Sequence, residues 1–185
     1  VRSRLMGIPT LISTSTASNA SSVAITSGID STYDEYMFVI TDYNPATDTE
    51  MFTFQVDDDA GNNGYNDFYI TSSTFTASHT EDDSATSLAY ETGTDLAQSQ
   101  SYQMLNRNPG NGADESSVFI LHLFNPSSTT YVKHFYGTSN TYYYLNWSAQ
   151  MFFSGYINTT TAINAINFKP NSGNFDAVIQ MYGIS

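Results

Sequence analysis

Short segments in which large apolar or aromatic residues alternate with Thr, Ser and other polar residues recur along the whole chain, separated by clusters of Asn, Asp, Ser, Gly and Pro. Alternation with a period of two is the signature of a strand with one buried face. It predicts strands over residues 10–17, 22–26, 35–43, 51–57, 67–76, 87–91, 101–105, 118–124, 131–138, 142–147, 150–157, 162–168 and 175–184. Asn44-Pro45, Asn108-Pro109-Gly110 and Asn125-Pro126 mark boundaries, because each joins a turn former to a residue that cannot donate a ladder hydrogen bond. Residues 125–129 lie between two strongly apolar runs and predict a hairpin, and Asn171-Ser172-Gly173-Asn174 predicts the turn before a last strand that closes the fold. Over 85–97, Gly93 and several Thr interrupt the Ala, Leu and Gln, so one short helix or turn is the most this stretch supports.

So many short strands with so little helical periodicity predict an all-β fold, an antiparallel two-sheet sandwich of jelly-roll-like type. The length of 185 residues suits one domain over residues 9–185, preceded by a short N-terminal arm over 1–8 that carries Arg2 and Arg4. With 14 Tyr and 12 Phe the core needs no disulfide, and the chain contains no cysteine. The arm reads either as a frayed end or as a basic contact to an acidic neighbour in an assembly. It lacks the uninterrupted apolar run of a secretory signal, and no stretch of about 20 apolar residues follows that would span a membrane as a helix.

Eighteen acids against five bases give a formal charge of −13, which opposes binding to nucleic acid or to anionic membranes. The rest of the polar surface is Ser, Thr, Asn and Tyr, a composition common in proteins that face an outside medium. The chain contains no G-x-S-x-G elbow, H-E-x-x-H pair or P-loop. His79, His122 and His134 are the candidate bases or metal ligands. His122 alternates with leucines in a strand, and His134 falls in the next apolar run, placed to lie across a hairpin from it; without a third partner the two make no site. Nothing singles out a carboxylate pair for glycoside hydrolysis, so no catalytic residue is assigned and the expected role is non-enzymatic.

Residues 57–67 form the densest group of hard oxygen ligands, with Asp57, Asp59 and Asp67 the positions to which calcium would bind. The run departs from the EF-hand register, and Asn and Gly in a solvated connection account for it without an ion, so no cofactor is expected. Residues 142–147 stand out more. As a strand they would place Tyr142 and Tyr144 on one face and Tyr143, Leu145 and Trp147 on the other, both faces carrying large rings. One such face enters the core; the other takes a second layer, a subunit or a stacked ligand. Tyr142, Tyr143, Tyr144 and Trp147 are therefore the candidate interface or stacking residues.

Several segments carry a family resemblance: Thr10-Leu11-Ile12-Ser13-Thr14-Ser15-Thr16-Ala17-Ser18-Asn19, Gly28-Ile29-Asp30-Ser31-Thr32-Tyr33-Asp34-Glu35-Tyr36, residues 126–133 and 155–160, Phe168-Lys169 with residues 172–176, and Met181-Tyr182-Gly183-Ile184. With these the chain resembles small β-rich virion proteins of tailed bacteriophages, particularly those of marine bacteria and cyanobacteria. The resemblance implies a homo-oligomeric part, dimeric or trimeric, on the exterior of the virion. Its partners would be the major capsid protein or other virion proteins. It implies most directly a capsid decoration or cement protein, with a head-fibre, tail-fibre or receptor-binding module that recognises host glycan as the alternative. It transfers no catalytic residue.

Overall fold

The computed structural model of the protein describes residues 7–62 and 64–185; Arg2 and Arg4 of the expected arm lie outside the described residues. Twelve strands follow in chain order: β1 (Thr10–Ala20), β2 (Val23–Ile25), β3 (Glu35–Pro45), β4 (Phe52–Asp57), β5 (Ile70–Thr80), β6 (Thr86–Tyr90), β7 (Gln103–Met104), β8 (Ser117–Phe124), β9 (Lys133–Tyr143), β10 (Trp147–Ile157), β11 (Ala165–Pro170) and β12 (Phe175–Ile184). No helix occurs among the described residues, and 85–97 is β6 followed by turns.

The strands form two antiparallel sheets, one ordered β1-β12-β3-β8-β9-β10-β5-β6 and the other β2-β11-β4-β7. The pairings are nested: β1 with β12, β2 with β11, β3 with β8, β4 with β7, alternating between the sheets. Nesting of this kind is what results when one long hairpin rolls into a sandwich, so the expected jelly-roll-like architecture is present. Two hairpins are added to it. β5–β6 leaves the chain between β4 and β7, β9–β10 leaves it between β8 and β11, and β5 pairs with β10 along their full length. The large sheet is thereby extended by four strands beyond the edge of the small one.

The core lies between the sheets and is aromatic. Phe52 of β4 meets Phe119 of β8 at 5.2 Å between ring centroids and Phe168 of β11 at 5.7 Å, while Phe54 meets Phe135 of β9 edge-on at 5.2 Å. Tyr43 joins the same cluster against Phe52, Phe119 and Phe175, and its hydroxyl donates to the Glu50 carbonyl at 2.6 Å, which satisfies the one polar atom the ring brings inside. Under the extension the interior turns polar. Thr74, Thr76, Ser139 and Thr141 are buried there, roofed by the segment after β6, where Thr74 Oγ1 donates to the Glu91 carbonyl and Ser72 N–H to that of Leu96.

Two glycines let the β9–β10 hairpin pack. Gly137 faces Phe153 and Gly155 faces Phe135 across the ladder, so each ring lies over the glycine opposite. A Cβ on Gly137 would come within 2.5 Å of the Phe153 ring and 2.3 Å of the Ile120 carbonyl oxygen; one on Gly155 would meet the Thr71 carbonyl oxygen at 2.4 Å.

β4 is buried on both faces, unlike a strand of an open sandwich. Phe52, Phe54 and Val56 enter the core. Thr53, Gln55 and Asp57 point the other way and are covered by the connections 58–69 and 97–102, where Gln55 Nε2 donates to the carbonyls of Phe68, Gln100 and Ser101. This cover decides the surroundings of Asp57.

Candidate functional site

The broad outer face of the large sheet is the most conspicuous exposed feature. Its cross-strand register aligns Gln180, Val39, Ile120, Thr138, Phe152, Phe75 and Tyr90 in one row from β12 to β6. Ile120, Phe152, Phe75 and Tyr90 are exposed, and the Phe75 and Phe152 rings stack at 4.8 Å and 15°. The neighbouring row adds Val118 and Leu88, also exposed. From β3 to β6 the outward positions carry two carboxylates, Glu35 and, at the β3 bulge, Asp42, and no Lys or Arg. Glu35 Oε1 accepts a hydrogen bond from His122 Nδ1 across β3 and β8. In a chain of charge −13 this face is almost free of charge.

At the β8 end of the face, Phe124, His122 and Tyr136 stack as three nearly parallel rings: His122 lies 4.8 Å from Tyr136 at 18°, and Phe124 lies 5.4 Å from Tyr136 at 24°. His122 pairs with Tyr136 rather than with His134, which lies two residues further along β9 and approaches Tyr156. His79 engages Asp83 within its own turn. The histidines therefore do not converge.

The aromatic run 142–147 is not a strand, which corrects the expected two ring-bearing faces. β9 ends at Tyr143, β10 begins at Trp147, and Tyr144, Leu145 and Asn146 make the hairpin turn, with Asn146 at φ 63°. Tyr143 and Trp147 are the first cross-strand pair of that hairpin and stack at 4.9 Å and 12°. Tyr143 is 7% exposed and its hydroxyl accepts from Asn108 Nδ2, whereas Tyr144 at the tip is 38% exposed. Tyr142 faces outward beside Asn146. The four rings sit at one end of the molecule, with Trp147 engaged on one face by Tyr143.

The acidic connection starts from a fully buried carboxylate at the end of β4, Asp57, whose Oδ2 accepts from Gly61 N–H at 2.6 Å. Burial, and after it the neighbouring Asp59 side chain, push its carboxyl up from the ordinary aspartate value, against backbone N–H groups, Gly61 first, that pull it down. Asn164 fastens the loop from the other side: its Oδ1 accepts from Ala60 N–H and its Nδ2 donates to the Asp58 carbonyl. The carboxylates that meet are Asp57, Asp58 and Asp67, with oxygens within 4.8 Å of one another. Asp59, grouped with Asp57 and Asp67 by sequence, accepts at its Oδ1 from the N–H of Asn62, and its side chain also meets the Asp57 carboxyl. Sequence reasoning missed Asp58 because adjacent strand residues point to opposite faces, a rule that fails where β4 ends at Asp57.

Comparison of the chain with protein-family models, with curated proteins and with solved structures finds no match in any of the three.

Proposed function

We propose that this chain is a non-enzymatic structural subunit of a tailed-phage virion, a decoration or cement protein that binds the exterior of the head as a dimer or trimer. The observation that carries the reading is the outer face of the eight-stranded sheet, poor in charge and crossed by a row of exposed apolar side chains. Seven strand spacings of about 4.8 Å and alternating positions over roughly 30 Å of strand give a face of about 1,000 Å². A standard protein interface buries about 800 Å² per partner, so one such face is enough for a stable contact. Burial of these side chains against a neighbouring subunit or the shell stabilises the assembled particle by mass action, because the ligand of the shell is the folded protein itself. The resemblance of the sequence to small phage virion proteins supports a structural component of the virion, and the head is the placement proposed within it.

Antibody labelling of intact virions, viewed by electron microscopy, tests the placement. Label spread over the head is the expected result, and particles lacking the protein should lose their capsids at lower temperature and milder osmotic shock. Label confined to the tail overturns the reading. A second reading, a fibre or receptor-binding module, draws on the stack of Phe124, His122 and Tyr136, whose flat surface suits the apolar face of a sugar ring. It predicts binding of purified host envelope polysaccharide that Tyr136→Ala abolishes.

A further inference from the structure

We propose that Asp57, Asp58 and Asp67 hold a calcium ion that fastens the connection between β4 and β5. Two independent observations meet here. The three carboxylates bring oxygens within 4.8 Å of one another. Separately, Asp57 is completely buried, and while its Oδ2 is held by Gly61 N–H, its Oδ1 is buried without a hydrogen-bond partner. Buried polar atoms are ordinarily paired, and a buried carboxylate with one oxygen unpartnered, grouped with two further carboxylates, points to a cation.

No described base supplies that cation. Arg107 is paired with Glu91, Lys133 donates to the carbonyls of Ser128, Tyr131 and Thr159, and Lys169 sits over the ring of Tyr102. The Tyr65 hydroxyl, also buried and without a partner, lies beside Gly61, within 2.7 Å of where a Cβ on that residue would stand. The donor atoms are all oxygen, which suits a hard cation and not zinc or copper. A calcium coordination sphere is about 5 Å across, twice a Ca–O distance of roughly 2.3–2.6 Å, so oxygens within 4.8 Å of one another fit it, and its flexible geometry suits three carboxylates better than the strict octahedron and retained waters of magnesium. Asp67 is exposed and Asp58 half-buried, so the ion would enter from that side and keep water on its remaining positions.

Thermal melts of the full chain in EDTA, in calcium chloride and in magnesium chloride at equal ionic strength provide the test. Calcium at about a hundredfold excess over its Kd should raise Tm by roughly 5–10 °C, with magnesium at the same concentration giving little. Terbium added to the calcium-free protein should luminesce on tyrosine excitation, through Tyr65, and calcium should quench it. Because Asp57→Asn alters a buried hydrogen-bonded group and risks misfolding, the deciding variants are Asp67→Asn and Asp58→Asn. Both should melt like the wild type in EDTA and lose at least tenfold in calcium affinity. Equal Tm in EDTA and calcium, a wild-type response in both variants, or an equal response to magnesium would each overturn the assignment.

Discussion

Lys133 is a buried cation with no carboxylate partner among the described residues. Its ammonium fits among three loop carbonyls, those of Ser128, Tyr131 and Thr159, and so ties the β8–β9 connection to the segment after β10. Burial pulls its pKa down, yet the carbonyl cage gives each of its protons an acceptor. Lys133→Met keeps the stem and removes the donors, leaving the carbonyls without a partner; the expected cost is about 1–3 kcal/mol in urea unfolding, and an unchanged midpoint would refute the role. Buried phenols set the alkaline limit. Burial raises the Tyr43 pKa far above its ordinary value of 10.0 and pushes Tyr102 up to about 12. For a group whose folded pKa is raised, the stabilisation is complete below the unfolded value near 10 and is lost as pH climbs past it. Unfolding free energy should therefore fall above pH 10, and the absorbance of Tyr43 phenolate should emerge only with unfolding. Full tyrosine titration with circular dichroism unchanged would contradict this. The Lys133 cage was not legible in the sequence, because the Thr159 carbonyl lies 26 residues away, and neither was the Glu35–His122 pair, 87 residues apart until β3 and β8 pair.

Single strands were easier to read than their limits. Residues 35–43, 51–57, 118–124 and 175–184 alternate or run apolar through their whole length and became β3, β4, β8 and β12 within two residues. β5 runs to Thr80 instead of stopping at 76, because its last residues, Ala77, Ser78, His79 and Thr80, carry no apolar alternation and are held by pairing with β10 and β6. The run 142–147 failed for the opposite reason: strand-forming rings continue straight through a turn whose only local signal is Asn146, the residue at positive φ. The same hairpin depends on Gly137, where a methyl group would strike backbone as well as the Phe153 ring. Gly137→Ala should cost roughly 1–3 kcal/mol, read from the thermal midpoint, since the Ile120 carbonyl cannot swing aside as a side chain can. An alanine variant as stable as the parent would mean that β9 shifts in register or bends without loss.

At the scale of the molecule, local pattern fixes the class, and long-range pairing fixes the fold. Nothing in the alternation of β1 indicates that it pairs with β12 at the far end of the chain, or that β5 joins β10 and widens one sheet to eight strands. That widening leaves the outer row around Ile120, Phe152 and Phe75 with no layer of the described residues above it. If the row is a contact between subunits, its strength follows from two opposed terms, burial of apolar area and repulsion between copies that each carry −13. Salt screens the second without weakening the first. Sedimentation should then show the oligomer more stable in about 0.5 M salt, where the Debye length is near 4 Å, than at low ionic strength. Phe152→Glu should dissociate it at either salt at a cost to the subunit of about 1 kcal/mol, the loss of the stack on Phe75, because the side chain otherwise points away from the core. An oligomer weakened by salt would assign the contact to charge pairs elsewhere, and one that survived Phe152→Glu would place it off this face.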